Sequence, residues 1–244
     1  MKRSRYSLGR LVAPMVPGAL GALALRPITR RAAILATLFA TAAGGVLAST
    51  SPAHAASAQD IETLVFVRHG EKPAEGLGQL NCKGLNRALA LPAVIAAKYG
   101  KPDAIYAPDP GEQKDDGGHA YYYVRPLATV EPTAIQFGLP IQTPYGYART
   151  DALEKTLLDP AWRNRTVLIG WEHREIETLV RKIVAEHGGQ ASDVPKWKSA
   201  DFDSIYVVRI DWSGATPSAR FSHDREGLDG RSDECPCAAL PATQ

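Results

Sequence analysis

A three-layer α/β domain with a mainly parallel central sheet is the fold this sequence predicts, and three observations predict it. Short, apolar, β-branched runs recur along residues 57–244, stretches with helical apolar spacing lie between them, and Gly, Pro or Asn marks many of the junctions. Apolar runs without polar alternation suit strands buried on both faces, as parallel strands are.

The first such run is Glu62-Thr-Leu-Val-Phe-Val-Arg68. A helix is expected from Asn81 to Tyr99, with Asn81 as its cap, Leu85, Ala88, Leu89, Val94 and Ile95 near one face, and a kink at Pro92. Asp103-Ala-Ile-Tyr-Ala107 is the second strand. Arg125 to Phe137 is helical, Pro126 suiting the first turn and Pro132 predicting a bend or break. Thr166-Val-Leu-Ile-Gly-Trp171 is the third strand, followed by a helix from about Arg174 to Glu186 that stops at Gly188-Gly189. Ser204 to Ile210 is the fourth, and Ser213-Gly214 turns it toward a short last strand near Ala219-Arg220-Phe221.

Residues 1–56 are of another kind. They carry Lys2, Arg3, Arg5, Arg10, Arg26, Arg30 and Arg31 and no acidic residue, and they end in an apolar Ala/Gly-rich run, Ala32 to Ala48, before Ser51-Pro-Ala-His-Ala55. A basic stretch, an apolar core and a small-x-small site are the parts of an export signal peptide, with cleavage expected after Ala55. Thr29-Arg30-Arg31 is the start of a twin-arginine pattern without its remainder. The run is also about long enough to be a retained anchor, but it is rich in Ala, Gly and Thr. Removal is the expectation, leaving no stable membrane span and a periplasmic or secreted protein of one domain, residues 57–244.

The formal charge of +2 conceals this division. Without the leader, 21 basic side chains stand against 26 acidic ones, a net of −5. An acidic domain gives no electrostatic ground for nucleic-acid binding, so an anionic partner must be gathered by a few placed arginines. Of the three cysteines, Cys82 can bridge to Cys235 or Cys237 in an oxidising compartment, or the tail stays unbridged. Cys-Pro-Cys alone is too few ligands for a zinc site.

In open α/β sheets ligands sit beyond the carboxyl ends of the strands. The first strand ends on Arg68-His69-Gly70-Glu71 and the third on Trp171-Glu172-His173, so two histidines emerge at one edge. Arg125 starts the helix after the second strand and can face the same crevice. Two guanidinium groups and two imidazoles suit a phosphate. Arginine forks donate bidentate hydrogen bonds at any working pH. A neutral imidazole can accept a phosphoryl group at one nitrogen when the other is tied to an acceptor. Gly70 is expected to let the backbone approach the phosphate. The scheme needs no metal and no cofactor.

These residues carry a resemblance. Leu64-Val-Phe-Val-Arg-His-Gly-Glu71 resembles the signature of the histidine phosphatase superfamily, which includes phosphoglycerate mutases and acid phosphatases. Leu80-Asn-Cys-Lys-Gly84-Leu-Asn-Arg-Ala88, Ile105-Tyr-Ala-Pro108, Arg125 with Thr129, and Val167-Leu-Ile-Gly-Trp-Glu-His173 follow in the family's order. The resemblance spans about Thr63 to Val184. It implies a phosphoglycerate mutase-like fold, His69 as nucleophile, and Arg68, Arg125 and His173 as the phosphate pocket.

Two departures stand out. Asp109 to Tyr122 intervenes before Arg125, as a lid, a substrate wall or a solvated polar loop; His119 within it reads as an ordinary loop histidine. The proton donor is also open. Glu172, next to His173, is the first choice, with Asp151 and Glu154 as alternatives, while Glu71 can brace Arg68 or the pocket and is placed with Gly70 among the substrate-binding residues. The expected activity is phosphomonoester hydrolysis on a phosphorylated small molecule or macromolecule. Phosphotransfer on the same pocket, or phosphate binding without turnover, are the alternatives.

Overall fold

Arg68 ends a strand with covered faces on either side. In the computed structural model, which describes residues 60–237, Ile61–Arg68 (β1) is buried from Leu64 onward. Successive side chains of a strand point to opposite faces. Leu64 and Phe66 accordingly enter one core cluster, and Val65 and Val67 the other. The expected leader, 1–56, with its cleavage after Ala55, lies outside the described residues.

The remaining elements are Cys82–Tyr99 (α1), Ala104–Tyr106 (β2), Gln113–Asp115 (β3), Ala120–Tyr122 (β4), Arg125–Phe137 (α2), Ile141–Gln142 (β5), Thr150–Leu157 (α3), Thr166–Trp171 (β6), His173–Glu186 (α4), Ser204–Asp211 (β7) and Ser218–Arg225 (β8). The main sheet runs β5-β2-β6-β1-β7-β8. Its β5, β2, β6 and β1 are mutually parallel, while β7 is antiparallel to β1 and to β8. The α/β expectation holds, with the antiparallel part confined to the hairpin that ends the sheet. On one face α1 and α2 bring Leu91, Ile95, Val130 and Ala134 against Val65, Val67 and Val207. On the other, α3 and α4 bring Leu153, Leu157, Ile176, Val180 and Ile183 against Leu64, Phe66, Val208 and Ile210.

Local chemistry explains several boundaries. The Asn81 side chain accepts from the Gly84 N–H at 2.9 Å and caps α1 as expected. Both helices run through their prolines, Pro92 in α1 and Pro132 in α2. The break expected at Pro132 does not occur: Val130, Thr133 and Ala134 are buried around it, and that packing outweighs a penalty of about 3 kcal/mol for an interior proline. Cys82 is bridged to Cys235 across 153 residues of chain, and Cys237 is an exposed thiol. His223 of β8 lies 2.7 Å from the Ser204 Oγ of β7. No described helix is long and apolar enough to cross a membrane.

Glu62 is the anomaly of β1. It is 0% exposed, one carboxylate oxygen accepts from Trp212 Nε1 at 3.0 Å, and the other has no partner. Burial pushes its pKa up from 4.5 to about 7, against the pull of Trp212 and Arg163. The folded state therefore binds more protons than the unfolded one between those values, so stability falls as pH rises through that window. Glu62→Gln is expected to raise the unfolding free energy at pH 8 by up to ~3 kcal/mol, since each tenfold change in proton affinity is worth ~1.4 kcal/mol, and to give no gain at pH 4. Urea unfolding at both pH values checks this; an equal gain at both would contradict the assignment.

Candidate active site

The C-terminal ends of β1 and β6 lie side by side, because Arg68 pairs in register with Trp171. One residue beyond, the His69 N–H donates to the Trp171 carbonyl at 3.1 Å. The next residues of the β6 segment are Glu172, the N-cap of α4, and His173, its first residue. Arg125 begins α2 from the other side, with Pro126 in the first turn as expected. Thr129, one turn along, ties the elements together: its hydroxyl oxygen accepts from the Gly70 N–H at 2.9 Å and donates to the Arg125 carbonyl at 2.8 Å.

The side chains converge through shared neighbours. The His69 ring stands edge-on to Tyr123 at 6.0 Å and tilted to Phe202 at 6.1 Å. The Arg68 guanidinium lies 3.8 Å over Phe202, and that of Arg125 lies 4.7 Å over Tyr123. Arg68 Nη1 donates to the carbonyls of Ser199 and Asp201, at 2.7 and 2.8 Å. His173 Nε2 reaches the hydroxyl of the same Ser199 at 3.3 Å. Arg68, His69, Arg125, Glu172 and His173 are all buried.

The tautomer of His69 follows from its neighbour. Nδ1 is 2.8 Å from the Gly70 carbonyl, which can only accept, so Nδ1 carries the proton and Nε2 the lone pair. Burial, with the charges of Arg125 and Arg68, holds its pKa well below 6.5. The ring is therefore neutral at pH 7. Burial also lowers Arg68 to about 10, against the opposing pull of Glu172, so it stays charged.

Three buried donors in this space have no partner: Arg68 Nε, Arg125 Nε and the Tyr123 hydroxyl. Unpaired buried donors cost about 1–3 kcal/mol each, more when charged, and an array of them requires an explanation. Of these groups, the Arg68 and Arg125 guanidiniums lie close enough to His69 for their charges to lower its pKa.

Several expectations change here. Gly70 has its N–H occupied by Thr129, and a Cβ on it would lie 2.9 Å from the Gly84 carbonyl oxygen of α1. Its missing side chain lets β1 and α1 approach closely. Glu71 turns away from Arg68 and pairs with Arg87 of α1, at 2.7 and 2.9 Å. Glu172 is placed as a cap. One oxygen accepts from the N–H groups of Arg174 and Glu175, at 2.7 and 3.1 Å, and the other is 2.8 Å from His173 Nδ1, at ion-pair distance though outside good hydrogen-bond alignment. Burial alone would raise its carboxyl, but the His173 ring and these N–H groups bring it down to about 2. Such a group orients His173 and carries no proton to donate near neutrality. Of the alternatives, Asp151 is exposed and Glu154 pairs with Lys182 at 2.5 Å on the α3–α4 side.

The insertion becomes the β3–β4 hairpin and walls the site. Asp116 at its tip is buried; one oxygen pairs with Arg125 Nη1 at 2.6 Å and the other with Lys72. Although burial opposes ionisation, Lys72 and Arg125 pull its pKa below the usual carboxylate value. Asp116 thus takes the Nη1 end of Arg125 and leaves Nε without a hydrogen-bond partner. Lys114 reaches over Tyr147 at 4.5 Å. His119, read as an ordinary loop histidine, contacts only the Tyr121 ring among the aromatic groups near it. Beside the pocket, a groove of about 540 Å³ is lined by Arg174, Glu177, Lys196, Trp197, Lys198 and Ser199.

Fold and pocket together define an α/β domain with two arginines and two histidines buried beside Tyr123 and Phe202 at the strand ends. Neither a protein-family model nor a curated protein matches the sequence. Among solved structures, a mycobacterial glucosyl-3-phosphoglycerate phosphatase aligns at 15% identity and a TM-score of 0.45, over 66% of this chain and 97% of that one. A candidate phosphohistidine phosphatase, SixA, from Nakamurella multipartitia aligns at 16% identity and a TM-score of 0.44, over 67% and 96% of the two chains. Another, from Agrobacterium tumefaciens, gives 15% and 0.42, over 66% and 97%. Likeness of this degree decides no function, which must come from the pocket.

Proposed function

We propose that this protein hydrolyses phosphate monoesters through a phosphohistidine at Nε2 of His69, outside the cytoplasm and without a metal. The observation that carries the reading is the neutral, buried imidazole whose Nδ1–H is fixed by the Gly70 carbonyl, set among guanidinium groups with unpaired Nε atoms. A fixed tautomer aims the Nε2 lone pair at phosphorus. Arg68 and Arg125 then complement the charge that spreads over the non-bridging oxygens, with no reorganisation needed as it develops. His173, oriented by Glu172, offers Nε2 to the same oxygens. The two guanidinium groups supply the positive charge that a metal would otherwise bring.

Brief mixing with an aryl phosphate in the presence of a chelator, followed by quenching, should trap an acid-labile, alkali-stable phosphoryl group on His69. Turnover with no such adduct, or turnover abolished by chelation, would overturn the reading. The export part is supported by the Cys82–Cys235 bridge, since disulfides persist mainly in oxidising compartments. Sequencing the mature N-terminus should show a chain starting just after Ala55; an exported protein that retains Met1 contradicts it.

A further inference from the structure

We propose that Tyr123 is the proton donor to the leaving group, an assignment that rests on the phosphatase reading above. Tyr123 immediately follows the β3–β4 hairpin and precedes the N-cap of α2, so its side chain is fixed at the edge of the site by rigid elements on both sides. It is 1% exposed, its ring stands edge-on to His69, and its hydroxyl, beside the Arg125 guanidinium, makes no well-aligned hydrogen bond. A phenol buried without a partner is costly unless a ligand completes it.

Three of the bordering carboxylates do not fit the role. Glu172 is an ionised cap, Asp116 is ionised between Lys72 and Arg125, and Asp201 is held ionised by Ser204 and by the N–H groups of Asp203 and Ser204, though burial opposes each of these. Tyr123 keeps its proton: burial raises its pKa above the ordinary phenol value, with Arg125 and Arg68 pulling the other way. Those same two guanidinium groups stabilise the phenolate once the proton has gone. An alkoxide is more basic than a phenolate, so the transfer runs downhill as the ester bond opens.

The electrons balance as follows. The Nε2 lone pair of His69 forms the N–P bond while the P–O ester bond breaks. Its electron pair goes to the alcohol oxygen, which takes the Tyr123 proton and leaves as the neutral alcohol. Water then attacks phosphorus, the N–P pair returns to Nε2, and a water proton restores the phenol. Ester and water have become alcohol and phosphate.

Leaving-group dependence tests this, because a nitrophenolate departs without a proton and an alkoxide does not. Tyr123→Phe removes one unpaired oxygen and keeps the ring. It should lower kcat/KM for an alkyl phosphate by about 100-fold or more, the usual worth of general acid catalysis, and for nitrophenyl phosphate by less than about threefold. Equal losses on both substrates would make Tyr123 an anion-binding or packing residue and overturn the assignment. So would a selective alkyl-phosphate loss in Glu175→Gln, whose carboxyl burial raises, in place of Tyr123→Phe. A measurement on the unmodified protein needs no variant: kcat/KM across phosphates of graded leaving-group basicity should be nearly flat, and a steep decline with basicity overturns the donor. Failure of the underlying reading looks different, since the unmodified protein would then form no phosphohistidine with any of these substrates.

Discussion

His69→Ala is expected to lower kcat/KM toward an aryl phosphate by about 10⁴-fold or more, the scale on which removal of a nucleophile acts. The loss should fall on the chemical step. His69 is neutral in the free protein, so deleting it removes no charge from the pocket, and Arg68 and Arg125 remain. Orthophosphate should therefore bind the variant within a few-fold of its affinity for the parent, by calorimetry or by protection against thermal unfolding. Loss of both binding and turnover would mean that the substitution collapsed the pocket. Retention of turnover within tenfold would mean that His69 is not the attacking group. The pH profile carries a second readout. A ring held well below 6.5 stays unprotonated in weak acid, so the acid limb of kcat/KM should not be set by an ordinary histidine near 6.5.

How much of this site the sequence disclosed follows from which features are local. Strand ends were legible: Arg68-His69 and Glu172-His173 each follow a buried apolar run, and β1 and β6 do pair with those ends level. The Asn81 cap was legible for the same reason, since donor and acceptor lie three residues apart. Short elements held by their surroundings were not. The two-residue β5 and the eight-residue α3 have too few side chains to show a period, and β5 exists because β2 offers it an edge. The Ser199–Phe202 loop, which holds Arg68 and faces His173 and His69, has no pattern at all because its contacts span more than twenty residues of chain. Tyr123 was written in the Tyr121-Tyr122-Tyr123 run, but nothing local separates it from its exposed neighbour Tyr122. Glu172 was legible as a carboxylate beside His173. Its place as the cap of α4 was not legible, because the helix N-terminus that helps ionise it is a property of α4 and not of the strand.

The second large effect lies behind the pocket. Arg87→Met is expected to destabilise the domain by about 3–5 kcal/mol, the cost of removing one partner from a buried ion pair. Arg87 is 0% exposed in the second turn of α1 and pairs with Glu71, Asp203, Glu226 and Asp229 at 2.7, 3.3, 2.7 and 2.9 Å. Methionine fills much of the same volume, so the loss reports stranded carboxylates and not a cavity. Asp229 is exposed and can turn to water; Glu226 and Asp203 cannot. Burial already pushes Glu226 up to about 8 against the pull of Arg87, and Glu71 is brought below 4.5 by Arg87 in spite of its own burial. Without the guanidinium both carboxyls titrate higher in the folded state. The variant's folded form then binds extra protons, so its deficit is largest above pH 7 and shrinks as the pH falls toward 4.5, where the unfolded carboxylates also protonate. Arg87→Lys keeps the charge but reaches fewer of the four acids, and should fall between the two. Urea unfolding of the three proteins at pH 8 and pH 5 decides it. A deficit below about 1 kcal/mol, or one independent of pH, would show that the cluster contributes little to holding α1 on the sheet. Glu71 lies two residues from His69, so a real deficit should also loosen the loop on which the imidazole is aimed, lowering activity below the temperature at which the variant unfolds.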